Sequence, residues 1–501
     1  MPAARERPLA LGEPAQPVRS NLTATARGRA IIITLLTLLG GCLRLFHLGT
    51  KSLWLDEGAT VTLARMAWPH FAQLWWYGEA SFQGAFFLLM RAWLHLGQSE
   101  AWVRLPAAIF GIVSIPLIYL VARKLVGLRA ALASAAILAF SPTHVYYSQE
   151  ARSYTMTILL LLVSTWFFVG AVEQSREQYW ILWTLFSVLA VYSHYFAAMV
   201  MVAQACSMFF RRKPAPWGRL IIHGLVILAI AAPGLTYVFR VSPQAIVFSW
   251  MPKPTPKQLL HLALFLGGSG EKFVLSMILW IAGAIAIRRE RNTKSMPDSF
   301  WDGMLVISWA VVPIVLTALV SLRHPVFVQR YMIFSLPATV MLAGRGMTAL
   351  PKRHLGFWLV VALCLASIFN VFSGYRKPRE EWRNATNVIL NSAQPGDAVV
   401  LYPDYTIVTF DYYRLLDQHV PPLQVLTQQY YTLGDADRSL LQALGSNPHQ
   451  FSHVWVMVRR EGKSRDTLQD DSPAVAAALQ SVFGAPTTWQ FKDITVLKFG
   501  G

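Results

Sequence analysis

Two neighbouring carboxylates, Asp56 and Glu57, stand just beyond the first long apolar stretch of the chain, between Lys51 and Arg65 in a Trp-rich segment. Such a pair could be a catalytic carboxylate and its neighbour. The alternative is an acidic first turn, because DEGATVTLARM could begin a helix whose positive dipole end faces these carboxylates. The residues alone leave both interpretations open.

The segment SPTHVYYSQEARSY joins two apolar stretches and brings His144, Glu150, Arg152 and Tyr154 to one boundary. Ionisable groups are costly to hold beside a membrane, which makes them candidates for function. A guanidinium is planar, permanently charged and weakly hydrated, so Arg152 suits bidentate binding of a phosphate. A loop ion pair between Glu150 and Arg152, or contact of Arg152 with lipid headgroups, is the alternative.

The segment SLRHPVFVQRY carries Arg323, His324, Arg330 and Tyr331 at a further boundary, on the side that the topology below assigns to the outside. Positive charge is unusual there, and an anionic ligand would explain it; snorkelling of these side chains to headgroups is the alternative. His194 lies between aromatic residues in VYSHYF and is either a ligand contact or a hydrogen-bonded interface residue.

Signatures of metal and nucleotide sites do not occur in the sequence. It contains no H-E-x-x-H, no C-x-x-C and no close His pair. Neither a P-loop nor a G-x-G-x-x-G opens a helix after a strand, which argues against ATP and dinucleotide chemistry. We therefore assign no metal site and no certain cofactor from the residues.

The composition places most of the chain in lipid. Of its 501 residues 54% are hydrophobic and 14% charged, which is too apolar for a soluble domain of this length. The net charge of +18 arises before Gly374, where 32 basic residues stand against 13 acidic ones; the remainder has 12 against 13. Because the basic residues recur as short clusters between apolar runs, they indicate cytoplasmic loops rather than a nucleic-acid surface.

A helix needs about 20 apolar residues to cross the hydrocarbon layer. Eleven stretches approach this length, and we predict spans near residues 30–48, 101–122, 130–147, 154–172, 179–194, 195–210, 218–239, 271–287, 303–322, 331–347 and 354–373. With the N-terminus in the cytoplasm, the tail and the inner loops carry 20 basic residues. This bias places the C-terminus outside.

We predict three parts: a basic cytoplasmic tail at 1–29, a transmembrane domain at 30–373 and an extracytoplasmic α/β domain at 374–501. The first outer loop, 49–100, has amphipathic periodicity that suggests helices in the interface plane. A Pro-rich loop is expected near 240–258. In the C-terminal domain we predict helices in EEWRNATNVILNSA and near 473–483, and strands in AVVLY, HVWVMVRR and ITVLKF.

At these residues the chain resembles the glycosyltransferase C superfamily, in particular the bacterial branch similar to protein mannosyltransferases and the aminoarabinose transferase. The motifs that carry the resemblance are LWLDEGAT, SEAWVRLPAAIFGIVSIPLIYLVARKL, SQEARSYTM, VYSHYFA, HPVFVQRYMIFSLPA and EEWRNAT, which fall in order within residues 30–390. Their order and their topological placement together carry the match.

The resemblance implies a multi-pass protein of the inner or plasma membrane with a hydrophilic cavity at its outer face. A polyprenyl-phosphate carrier would supply a hexosyl or pentosyl group there to a lipid, glycan or protein acceptor. Asp56 matches the catalytic base, which would deprotonate the acceptor hydroxyl as it attacks the anomeric carbon with inversion. Arg152 and Arg330 are the candidates for stabilising the departing phosphate.

The expected substrate-binding set comprises Glu57, Glu79, Glu150, Arg152, His194, Arg330 and Tyr331. One departure concerns Glu79: relatives have an acidic residue followed by Pro-Pro here, whereas this chain reads GEASFQGAFFLL. The role of Glu79 as a sugar or metal ligand is therefore the least certain part of the match, and a divalent metal is left open.

Two other classes of function are compatible with the sequence. A transporter or flippase for a lipid-linked or anionic substrate would also use many helices, although it typically has charges near mid-bilayer and inverted repeats. A silent scaffold that displays the C-terminal domain would not need Asp56, Arg152 and Arg330 to meet.

Overall fold

A computed structural model of the protein describes residues 25–77, 82–240, 251, 253–291, 299–417, 422–426, 451–460 and 472–500. Its helices, numbered here in chain order, are α1 Ala26–Leu45, α2 Leu55–Arg65, α3 Trp68–Tyr77, α4 Gly84–Trp93, α5 Glu100–Leu125, α6 Leu128–Phe140, α7 Pro142–Ser148, α8 Tyr154–Gln174, α9 Glu177–Ser193, α10 Ala198–Ser207, α11 Trp217–Arg240, α12 Pro256–Gly267, α13 Glu271–Glu290, α14 Ser299–Val320, α15 Leu336–Ala349, α16 Arg353–Arg376, α17 Trp382–Ser392, α18 Ile407–Arg414 and α19 Ser472–Phe483.

Apolar helices make up most of the chain, as predicted. Within the described ranges, α1, α5, α8, α14 and α16 are each long and apolar enough to cross a bilayer. The bent pairs α6 with α7 and α12 with α13 raise that number to seven. Helical residues occur in each of the eleven predicted stretches, but the remaining stretches fall short of this criterion, so the count of eleven stays a prediction. Asp302, which precedes the predicted span 303–322, lies in the first turn of α14.

A buried arginine stabilises the break between α6 and α7. The two helices meet at Pro142 with a bend of 55°, and proline offers no N–H to the preceding turn. Arg44 of α1 donates to the carbonyls of Ala139 (2.9 Å) and Leu138 (3.1 Å). It also contacts His144 Nδ1 at 2.7 Å. The cation therefore satisfies carbonyls next to the break, and His144 takes part in this contact.

The C-terminal part is a small α/β unit, as predicted. Its strands are β1 Ala398–Tyr402, β2 Gln424–Val425, β3 Val454–Arg459, β4 Thr487–Phe491 and β5 Ile494–Phe499. They form one mixed sheet in the order β2-β1-β3-β5-β4, in which β1 is parallel to β2 and β3 while β5 is antiparallel to β3 and β4. One face packs on α19 through alternate residues such as Val456 and Leu497.

The other face of the sheet shares a core with the first outer loop. Buried side chains of both regions form one cluster, which includes Leu53, Val61, Phe86, Trp382, Val399, Phe410, Trp455 and Val496. The predicted helices of this loop are confirmed as α2, α3 and α4. The apolar face of α2 packs on α18 of the C-terminal unit and α4 packs on α2 and α9, whereas α3 exposes Trp68 and Trp76.

Polar contacts reinforce this interface. Tyr413 Oη accepts from the Leu53 amide at 2.7 Å and donates to Glu100 at 3.2 Å. Arg383 also donates to Glu100, at 2.8 Å. At Gly58 of α2 an added Cβ would lie 2.7 Å from Oγ1 of Thr409 in α18. The helices α2 and α18 therefore cross at a distance that only glycine permits. The sheet unit therefore holds the loop that carries Asp56.

Candidate active site

The start of α2 positions the two predicted carboxylates. Trp54 has an extended backbone and precedes the helix, so Asp56 and Glu57 occupy its first turn. The Trp54 amide donates to Glu57 Oε2 at 3.3 Å, which is the return contact of a capping box. Carboxylates in a first turn are stabilised by the free N–H groups and the helix dipole. The acidic first turn that the sequence offered as an alternative is therefore present. It does not replace the candidate site, because Asp56 belongs to both.

Glu57 is anchored rather than open. Arg104 of α5 donates Nε and Nη2 to the two carboxylate oxygens at 2.8 and 2.7 Å, and the Ala151 amide adds a bond of 2.9 Å. Burial alone would raise the pKa of Glu57, but the charge and hydrogen bonds of Arg104 outweigh it and lower that pKa. The pair is almost inaccessible, at 0% and 2% exposure. It fixes the residue next to Asp56.

Asp56 lies between two cations. Its Oδ2 is 3.5 Å from Arg330 Nη1 and 3.9 Å from Arg152 Nη2. Asp56 and Arg330 keep 21% and 23% exposure, so this cluster is reachable from solvent while Glu57 is not. Arg152 Nη1 also donates to the Asp56 carbonyl at 3.3 Å. The Nε of Arg152 is buried and has no hydrogen-bond partner among the described residues.

Aromatic rings orient Arg330. Its guanidinium lies 5.8 Å from the ring centre of Trp54 and 5.7 Å from that of Tyr331. Such cation–π contacts fix a guanidinium without neutralising it. The arrangement leaves two positive groups beside one accessible carboxylate, which suits an anionic ligand and a proton acceptor in one site.

A third arginine, Arg379, connects Glu57 with Glu150. Its Nη1 is 3.8 Å from Glu57 Oε2 and its Nη2 is 3.5 Å from Glu150 Oε1. The guanidinium also lies 4.8 Å from the ring centre of Tyr146. Burial raises the pKa of Glu150 to about 7, although Arg379 acts in the opposite direction. The ion pair between Glu150 and Arg152 that the sequence allowed is replaced by a pair between Glu150 and Arg379.

His194 and Tyr331 belong to an aromatic cluster next to Arg330. Their ring centres are 4.9 Å apart, and Phe82 lies 4.4 Å from His194 and 5.6 Å from Tyr331. His194 is fully buried, and its Nδ1 accepts weakly from the Phe196 amide at 3.4 Å. Its Nε2 has no hydrogen-bond partner within the described ranges. Glu79 lies outside the described residues.

Two arginines that contact the candidate site residues Glu57 and Glu150 escaped the sequence reasoning. Arg104 stands inside a quoted motif, at the start of an apolar helix, and an ionisable residue in that position is itself a signal. Arg379 lies in the polar stretch RKPREE after the last span, where charge is ordinary and gives no signal. As to metals, the described part of the chain holds no group of three or more His, Cys, Asp and Glu side chains.

Comparison with known proteins agrees with this architecture. The model of the family described as "Dolichyl-phosphate-mannose-protein mannosyltransferase" matches residues 85–237. The structure of ArnT from Cupriavidus metallidurans bound to undecaprenyl phosphate is similar over 95% of this chain and 98% of its own, with a TM-score of 0.58 and 14% identity.

Two further structures share the fold. The Archaeoglobus fulgidus oligosaccharyltransferase is similar over 92% of this chain and 72% of its own, with a TM-score of 0.55 and 13% identity. The mycobacterial arabinofuranosyltransferase AftD matches over 95% of this chain but only 40% of its own, with a TM-score of 0.54 and 14% identity. No curated protein matches the sequence.

The helical membrane part, the segment 49–100 and the small α/β unit thus define a polytopic membrane protein with the fold shared by ArnT, the archaeal oligosaccharyltransferase and AftD. The family model bears out the predicted resemblance to protein mannosyltransferases over residues 85–237, and the resemblance to ArnT holds at the level of the fold.

Proposed function

We propose that this chain is an inverting membrane glycosyltransferase that moves a sugar from a polyprenyl-phosphate carrier to an acceptor hydroxyl on the extracytoplasmic face. The observation that carries the proposal is the carboxylate of Asp56, accessible and flanked by Arg330 and Arg152 at 3.5 and 3.9 Å. One proton acceptor and two fixed cations are the groups that such a transfer needs.

In the proposed reaction Asp56 takes the proton of the acceptor hydroxyl as its oxygen forms a bond to the anomeric carbon. The bond between that carbon and the phosphate oxygen breaks, and the carrier phosphate leaves with the electron pair. A phosphate dianion is a good leaving group, so the site needs no strong general acid. This differs from glycoside hydrolysis, in which a pair of carboxylates shares the work.

Arg152 and Arg330 would stabilise the charge on the departing phosphate. The buried Nε of Arg152, which lacks a hydrogen-bond partner in the described part of the chain, supports this role. The similar structure of ArnT has undecaprenyl phosphate bound, and this molecule belongs to the class of carrier proposed here. His194 and Tyr331 would form an apolar wall of the sugar site.

Glu57 and Glu150 would act on the site through other residues. Glu57 uses both oxygens on Arg104 and is fully buried, so we propose that it holds the first turn of α2. Glu150 and Arg379 would hold the neighbouring turn between α7 and α8. Glu79 stays a predicted ligand. The proposed setting is a cell membrane with the N-terminus in the cytoplasm and the sheet unit outside.

The test combines the cell and the purified protein. Mass spectrometry of envelope glycans and lipids with and without the gene identifies the sugar and the acceptor. Purified Asp56→Asn, reconstituted with that donor and acceptor, should lose about 10² to 10⁴-fold in rate. Asp493→Asn is the matched control, because Asp493 lies in the β4–β5 turn and its side chain, 41% exposed, pairs with the neighbouring Lys492.

Full transfer by a folded Asp56→Asn protein would contradict the mechanism. Translocation of the lipid-linked sugar across vesicles without formation of a glycosidic bond would instead favour the flippase weighed from the sequence. No change in any envelope glycan or lipid on loss of the gene, together with no transfer in vitro, would favour the scaffold.

A further inference from the structure

A second charged site lies at the other end of the membrane helices. A cavity of about 720 Å³ opens between the segment after α10, the end of α13 and the start of α14. Phe300 at the start of α14 lines it, whereas the chain that leads to Arg330 leaves α14 at its far end. A helix of 22 residues spans about 33 Å, so the cavity and the Asp56 site are on opposite faces.

Four arginines give the cavity its charge: Arg211, Arg212, Arg288 and Arg291. Among the described residues that line it, none is acidic. Within the described ranges none of the four forms an ion pair with a carboxylate, in contrast to Arg345, which pairs with Glu290. The described lining of the cavity therefore carries four positive charges and no carboxylate.

Neutral groups hold two of these guanidinium groups in place. Arg211 donates to the carbonyl of Val172 at 3.2 Å and lies 5.8 Å from the ring centre of Trp301. Arg212 donates to the Arg291 carbonyl and lies 6.0 Å from the ring centre of Phe300. Carbonyl and aromatic partners orient a guanidinium but leave its full charge, as in sites that bind phosphate.

Apolar surface adjoins the charge. Phe209 and Phe210, which line the cavity, are 77% and 40% exposed. On α13, which carries Arg288, Ile281 and Ile285 are also exposed, at 53% and 46%. Exposed apolar side chains on a membrane helix face acyl chains. A ligand bound here therefore contacts the arginines with one end and apolar surface with the other.

We propose that this cavity is a binding site for an anionic phospholipid, whose phosphate lies among the four arginines and whose acyl chains follow Phe209 and α13. The chemistry recognised is a phosphate with an attached apolar chain. Basic pockets between membrane helices bind lipid headgroups on the side where positive charge accumulates. This site is separate from the proposed glycosyl transfer and does not depend on it.

The test measures lipid binding by native mass spectrometry of the purified full chain, titrated with phosphatidylglycerol, phosphatidylcholine or inorganic phosphate. Wild type should retain phosphatidylglycerol in preference to the other two. The variant R212Q/R288Q/R291Q should bind it at least about tenfold more weakly, since it removes three of the four cations that attract the headgroup. The control R123Q/R129Q/R176Q removes the same charge from exposed arginines elsewhere and should bind as wild type does.

Three results would overturn the proposal: equal binding by the first variant, an equal loss in the control, or retention of inorganic phosphate as strong as that of the lipid. Arg212, Arg288 and Arg291 are exposed, so folding should persist. If the triple variant nevertheless unfolds, R288Q/R291Q provides the same comparison with two charges removed, against R123Q/R129Q.

Discussion

Arg104 Nη2 lies 2.7 Å from Glu57 Oε2, one residue away from Asp56, and both partners are buried. The first turn of α2 is thus tied to α5 by two parallel hydrogen bonds, which are the geometry that arginine and a carboxylate favour. The orientation of the accessible carboxylate follows from that of its buried neighbour.

Removal of one partner of this pair should unfold the outer site. Arg104→Gln leaves the Glu57 carboxylate buried without its counter-charge, which costs about 3 to 5 kcal/mol in comparable pairs. We expect a lower midpoint of thermal unfolding in detergent. Lys492→Gln, which breaks an exposed pair with Asp493, should change stability by less than about 0.5 kcal/mol. Equal midpoints for both variants would show that the buried pair does not anchor the loop.

Substitution of Arg379 should separate a positioning role from a merely structural one. Arg379→Gln removes the charge between Glu57 and Glu150, and we expect a loss of turnover larger than the change in donor KM. Arg379→Lys keeps the charge and should recover part of the activity. Arg460→Gln on the sheet unit is the control, because the exposed Arg460 side chain bonds to Thr495 of β5. Equal activity of the Gln and Lys variants would contradict the electrostatic role.

The pH dependence of stability should report Glu150. Its folded-state pKa, raised to about 7 by burial, exceeds its usual value near 4.5. The folded protein therefore binds the extra proton between these pH values, so the contribution of Glu150 to stability falls as pH rises from about 4.5 to 7 and is constant above. As pH rises through that window, the free energy of unfolding of Glu150→Gln should increase relative to that of wild type, by up to about 3 kcal/mol. Unfolding midpoints that run parallel from pH 5 to 8 would refute this.

The crossing of α2 and α18 should not tolerate a side chain. Gly58→Ala places a Cβ 2.7 Å from Thr409 Oγ1 and 3.0 Å from its backbone, and such overpacking typically costs about 1 to 3 kcal/mol. Gly224→Ala is the matched control, because Gly224 is also helical and its Cβ would meet nothing within 4 Å. That change should be neutral or stabilising by up to about 1 kcal/mol. The measurement is the rate of limited proteolysis of the chain between the segment with α2 and the C-terminal unit with α18, which should rise in Gly58→Ala and not in Gly224→Ala.

Much of the fold could be predicted because its elements have strong local patterns. The long apolar helices, α17 and the strands β1, β3 and β5 follow directly from hydrophobic runs and periodicity. The sequence reasoning missed β2, which has only two residues, and α18, whose β-branched and aromatic residues have weak helix preference. It also missed α12, which begins inside the expected Pro-rich loop.

The candidate site was predictable to the extent that its charges interrupt apolar surroundings. Asp56, Arg152 and Arg330 met that condition, and the structure brings both guanidinium groups to the Asp56 carboxylate, at 3.9 and 3.5 Å. Arg379 did not, because its contacts with Glu57 and Glu150 join parts of the chain that are far apart in sequence and depend on how the sheet unit packs. Only tertiary structure reveals such a partner.

The shared core of the outer loop and the sheet unit also has a consequence for biosynthesis. Leu53 and Tyr413 are hydrogen-bonded across 360 positions, so the loop with Asp56 leaves the ribosome long before its packing partner exists. The outer site can reach its final geometry only after the last part of the chain has been synthesised. A chain truncated before β1 would retain its membrane helices but lack the surface on which α2 folds. Synthesis of the C-terminal unit therefore precedes the final folding of the segment that carries Asp56.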